Sequence, residues 1–169
     1  MKTVSPASGV LLGGFLAGFC DFITPSVQFV MKGGEWYQPW KGVASGIFGS
    51  AAREGGAGMV VVGMASHWFI CIGAAAILYL VASRLKFIPR QWILLGIIHG
   101  IAVLLMMNYV ILPLSAIGKS IYPLETIYVP MFWHIVLVGL PTAFFVARAL
   151  PRRLTATADK GPLEEVARS

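Results

Sequence analysis

Charge is what this sequence has least of. Asp, Glu, Lys and Arg make up 12% of the 169 residues, where a soluble domain carries about a quarter. Acidic residues are the scarcer sign, 7 against 13 Lys and Arg. Cysteine is nearly absent: Cys20 and Cys71 are the only two, and they form no CxxC. Neither a thiol–disulfide enzyme nor a zinc site is therefore supported. Both thiols fall in apolar runs, where cysteine behaves as a small apolar residue. The chain has no phosphate loop, no nucleophile–base spacing of diagnostic kind and no metal-ligand motif. Enzymes are the least supported class, and no catalytic residue is assigned. The net charge of +6 is not a nucleic-acid footprint, because the cations sit at the ends of apolar runs, where they orient a membrane protein.

Apolar sequence fills the space that charge leaves. Hydrophobic residues make up 57% and the mean hydropathy is +0.79. Between Gly58 and Ser83 there is no Asp, Glu, Lys or Arg, a run longer than the roughly 20 residues that cross a bilayer. Similar runs cover residues 9–31, 92–114 and 129–150. These runs predict an all-α fold, a four-transmembrane-helix bundle. In the first loop, Val43, Ala44, Ile47, Phe48 and Ala51 keep helical spacing, which predicts a short amphipathic helix at the membrane interface or dipping between the spans. Trp36, Tyr37 and Trp40 look like an interfacial aromatic belt. Gly14–Gly18 and Gly96–Gly100 are GxxxG pairs that permit close helix approach. Residues 1–154 form the expected membrane domain, and the polar stretch 155–169 a disordered cytoplasmic tail.

Lys2, the cations from Arg84 to Arg90 and those from Arg148 to Arg153 share one side. The positive-inside rule makes that side the cytoplasm, with both termini there. The expected location is the bacterial inner membrane, multi-pass. The expected partners are the lipid bilayer, and other membrane proteins or a second copy; no nucleic acid is expected.

Ionisable groups inside spans are costly and are functional candidates by default. The candidates for binding a ligand or proton are Asp21, His67, Asn108 and His134. Counting about 1.5 Å per residue from the span ends puts these four in the outer half and His99 in the inner half. A carboxyl at that depth needs a donor, so Asp21 is expected within reach of His67, Asn108 or His134, directly or through a water. Three readings follow. The cluster binds a small ligand or proton, or it locks the helices in register. The chain is an accessory or scaffold subunit of a larger membrane complex. Or His67 and His134 hold a haem or metal between helices; no cofactor is otherwise expected.

Several strings carry a resemblance: AGFCDF with Asp21, ASGIFGSAAREGG, VGMASHWFICIGAAA with His67, MNYVILPLSA with Asn108, and HIVLVGLP with His134. Together they resemble a group of small, uncharacterised bacterial four-span inner-membrane proteins. The resemblance implies four helices and an inner-membrane location, and implies no activity. At His99 the chain departs from that group, which more often has Tyr before the glycine.

Overall fold

The computed structural model describes residues 4–85 and 91–150. The expected tail 155–169, and the cations Lys2, Lys86, Arg90, Arg152 and Arg153, lie outside the described residues. Four helices are long and apolar enough to cross a membrane: α1 Pro6–Met31, α4 Ala57–Arg84, α5 Trp92–Leu114 and α6 Tyr128–Ala149. Two short helices, α2 Gln38–Phe48 and α3 Ala51–Glu54, fill the first loop. The chain is thus a multi-pass, all-α membrane protein, a four-helix bundle with an amphipathic helix in its first loop. Below, the end carrying α2 and the 115–127 loop is the loop end, and the opposite end is the terminal end.

Local chemistry sets the helix starts. Ser5 caps α1, its hydroxyl accepting from the Ser8 N–H at 3.1 Å, and Pro6 occupies the first turn, where a missing N–H costs nothing. Small residues set the packing. A Cβ placed on Gly14 would come within 2.6 Å of Ile72 Cα on α4, and one on Gly13 within 3.1 Å of the Thr142 carbonyl on α6. Two glycine faces of α1 therefore seat it between α4 and α6. On α5, a Cβ on Gly100 would lie 2.6 Å from Ile135 Cα, and one on Gly96 would lie 3.1 Å from the Gly139 carbonyl. Such backbone-to-backbone contact gives the close van der Waals packing that stands in for hydrophobic drive in lipid.

Helices α5 and α6 each contain a π-helical stretch, Met107–Ile111 and His134–Gly139. Pro113 and Pro141 follow them by two residues. A proline inside a helix lacks its N–H and clashes with the carbonyl four residues back. Widening the preceding turn accommodates both problems without breaking the span.

The four spans do not close into a square. Helix α1 packs on α4 and α6, and α6 packs on α5, but α4 and α5 barely touch. At the terminal end a cluster of Leu78, Ala82, Leu95, Ala143, Val146 and Leu150 closes the core. At the loop end α2 does the joining. Its buried residues are Trp40, Ala44 and Ser45, and the Ala116 N–H donates to Gly46 O at 2.9 Å, tying the 115–127 loop to it.

This corrects two details of the loop. Trp40 is not part of a surface belt: it is 1% exposed, inserted among α1 and α4. The exposed apolar side of α2 is instead carried by Ile47 and Phe48, which are 61% and 51% exposed. The helix has two apolar sides, one for the bundle and one for the membrane interface, and the spacing argument merged them.

Candidate functional site

Three of the four candidate side chains are bonded to backbone. His67 on α4 donates from Nε2 to the Gly18 carbonyl at 2.9 Å, so its proton sits on that nitrogen. Its ring lies 5.1 Å from the Trp40 ring and edge-on to Trp68 at 5.5 Å, by centroids. Cys71 Sγ lies 3.8 Å from the same nitrogen. His134 on α6 donates from Nδ1 to the Pro130 carbonyl at 2.9 Å. Asn108, 1% exposed, pins the loop: its Nδ2 donates to Tyr122 O at 2.8 Å, and its Oδ1 accepts from the N–H groups of Ile121 and Tyr122, both at 2.9 Å. Asn108 thus replaces the hydrogen bonds that a loop folded against the spans would otherwise lose.

Asp21 is different. At about 100° per residue it shares a face with Gly14, Ala17 and Gly18, the face buried between α4 and α6. Ala17 is 0% exposed; Asp21, one turn further, is half-buried. No direct hydrogen bond among the described residues joins Asp21 to His67, Asn108 or His134; those three spend their bonds on carbonyls and the loop. The field of Asp21 still reaches the loop. Burial, and after it the negative charge of Asp21, raise the Tyr122 phenol above its ordinary value.

Contacts between helices give depths independently of span ends. Gly100 lies against the His134 carbonyl and Ile135, and Gly13 against Thr142. Eight residues beyond Gly13 is Asp21, and eight residues back along antiparallel α6 is His134, so these two are level. His67 joins them through Gly18. His99, next to Gly100, is level with them too, within about one 5.4 Å turn. Asn108 sits eight residues past Gly100, about 12 Å nearer the loop end. The expected slab of four therefore changes membership: Asp21, His67 and His134 share it, Asn108 lies above it, and His99 enters it. The cause is that Trp92 does not start its span in the same plane as the other helix ends.

His99 is 7% exposed, and its Nε2 is buried with no hydrogen-bond partner among the described residues. Reading depth from the Gly96–Gly100 crossing, rather than from residue counts, would have found it. Tyr122 carried no advance signal.

Among the described residues no three or more His, Cys, Asp or Glu side chains gather as a metal site. A haem or metal bridging His67 and His134 would have to use the other nitrogen of each ring, Nδ1 and Nε2 respectively. Comparison with family models, with curated proteins and with solved structures found no match to this chain.

Proposed function

We propose that this membrane protein works through the Asp21 carboxyl, which takes up and releases a proton or small ligand from the loop end. The observation that supports this reading is that Asp21, half-buried on the inward face of α1, has no hydrogen-bond partner among the described residues, while His67, Asn108 and His134 hold backbone partners. An intramembrane carboxyl without a fixed donor carries unmet hydrogen-bonding capacity, which an exchangeable ligand fills. In this reading His67 and His134 fix the helices around the carboxyl, and Asn108 fixes the roof.

The carboxyl is expected to show a pH-dependent C=O stretching band in infrared difference spectra, lost in Asp21→Asn. The amide keeps the shape and hydrogen-bonding capacity, so this variant is expected to melt within about 1 kcal/mol of wild type. Spectra of wild type and Asp21→Asn that match across about pH 4 to 9 would sink the reading. A purely structural carboxyl would instead show itself as a large stability loss in Asp21→Asn.

In this reading the loop end faces the periplasm of a bacterial inner membrane, with both termini cytoplasmic. A reporter after Ser169 should then read cytoplasmic and one inserted at Gly118 periplasmic. Gly118, at φ 71° in an exposed turn, is a site where an insertion disturbs little. The opposite pattern would turn the site towards the cytoplasm.

A further inference from the structure

We propose that the seam between α2 and the 115–127 loop is the gate to Asp21, with the loop as its moving side and Tyr122 as the residue that shuts it. This rests on the Asp21 reading above and adds the route. Three observations carry it.

The first is the seam itself. Helix α2 packs on α4 and α1, and no comparable packing joins it to α5 or α6. Among the described residues one backbone hydrogen bond crosses from the loop to α2, from the Ala116 N–H to Gly46 O at 2.9 Å. Beside it, a Cβ on Gly46 would lie 3.8 Å from Ser115 Cβ. The two sides touch there without interlocking.

The second is unequal anchoring. Helix α2 is riveted by Trp40, which is buried, donates to Ser26 on α1 and lays its carbonyl against Gly63 of α4. In the loop, every residue from Gly118 to Thr126 is exposed, so its hold on the spans is polar. One side chain supplies it: Asn108 makes three hydrogen bonds to Ile121 and Tyr122. A segment with few buried apolar contacts opens at low free-energy cost. The Asn108 bonds keep the loop folded, so it moves as a piece and returns to one place.

The third is what the seam covers. On the α2 side, Trp40 stacks on Phe22, the residue next to Asp21. On the loop side, Asn108 clamps Tyr122 at both its N–H and its carbonyl, which fixes where the ring starts. Burial and then the charge of Asp21 raise the Tyr122 phenol, so the two groups face one low-dielectric space. Tyr122 is 37% exposed, part in water and part in the bundle. Its bonds to Asn108 run through the backbone, which leaves the ring free to cover the carboxyl.

The test staples the seam. Gly46→Cys with Ser115→Cys puts two Cβ atoms at disulfide distance, about 3.5–4.5 Å, and one protein then gives a closed and a free state on oxidation and reduction. The readout is modification of Asp21 by a water-soluble carbodiimide and an added amine, in the full chain in lipid nanodiscs, followed by peptide mass spectrometry. Exposed Glu35 is the internal reference. Oxidation is expected to slow Asp21 relative to Glu35 by about tenfold or more, within the reach of a disulfide constraint, and reduction to restore it. Wild type cycled in the same way is expected to show no change, which controls for Cys20 and Cys71. Tyr122→Ala is expected to speed Asp21 modification severalfold. An Asp21 rate indifferent to the staple, or an Asp21 never modified while Glu35 is, overturns the gate and leaves the Asp21 reading to its infrared band. Failure of the two cysteines to cross-link contradicts the seam. A wild-type rate in Tyr122→Ala removes Tyr122 as the closing residue. An Asp21 infrared band that never changes with pH removes both readings.

Discussion

Trp40→Ala is expected to destabilise the bundle by about 3–5 kcal/mol, the range for removing a buried indole. The side chain is 1% exposed and joins three elements. Its ring stacks on Phe22 of α1, centroids 4.4 Å apart and planes 13° from parallel, and lies against His67 of α4. Its Nε1 donates to Ser26 Oγ at 3.1 Å, while Ser26 itself donates to the Phe22 carbonyl at 3.0 Å. Trp40→Phe keeps a ring and loses one hydrogen bond, so its expected cost beyond lost ring area is about 1 kcal/mol. Thermal melting in detergent, with protease cleavage at the 32–56 loop, reads both. An alanine variant that melts with wild type would show that α2 is not a structural part of the bundle.

Gly139→Val is expected to leave little folded protein. A Cβ at Gly139 would overlap the Gly96 carbonyl and lie 2.9 Å from Gly100 N. Overpacking a core usually costs about 1–3 kcal/mol, because side chains turn away; here both partners are backbone and cannot turn. The loss is expected at or above the top of that range. Gly73→Ala is the matched control, since a Cβ there meets nothing within 4 Å. It is expected to be neutral or stabilising by up to about 1 kcal/mol, the usual helix gain over glycine. Equal melting temperatures for the two variants would contradict the close α5–α6 crossing.

The spans were legible because charge is absent from them and a bilayer demands a minimum length. The GxxxG pairs were legible too: Gly14–Gly18 meets α4 and Gly96–Gly100 meets α6. What failed was position within the spans. Counting residues assumes that all helices start in one plane, and α5 does not; this misplaced His99 and drew Asn108 into the wrong layer. The burial of Trp40 was hidden because a tryptophan near the end of a span is ordinarily an interfacial anchor. Its anchoring partners, Ser26 and Gly63, lie on two other helices. Of the two links expected for Asp21, the direct bond is not formed among the described residues. Backbone groups took the donors instead: His67 bonds the Gly18 carbonyl of α1, His134 the Pro130 carbonyl one turn back on its own helix, and Asn108 the 121–122 loop.

The seating of α1 between α4 and α6 bears on biosynthesis. Helix α1 depends on α6, which is made much later, for its Gly9–Gly13 face, which meets Thr142, Phe145 and Ala149. With Asp21, Pro25 and Gln28 in its sequence, it is also the span least able to stay in lipid unaided. Until α6 is translated, α1 has only α4 for cover, and its inward carboxyl faces an unfinished bundle. Helix α6 thus acts as the closing element for α1. A chain interrupted before residue 140 would present membrane proteases with an α1 whose Gly9–Gly13 face is uncovered.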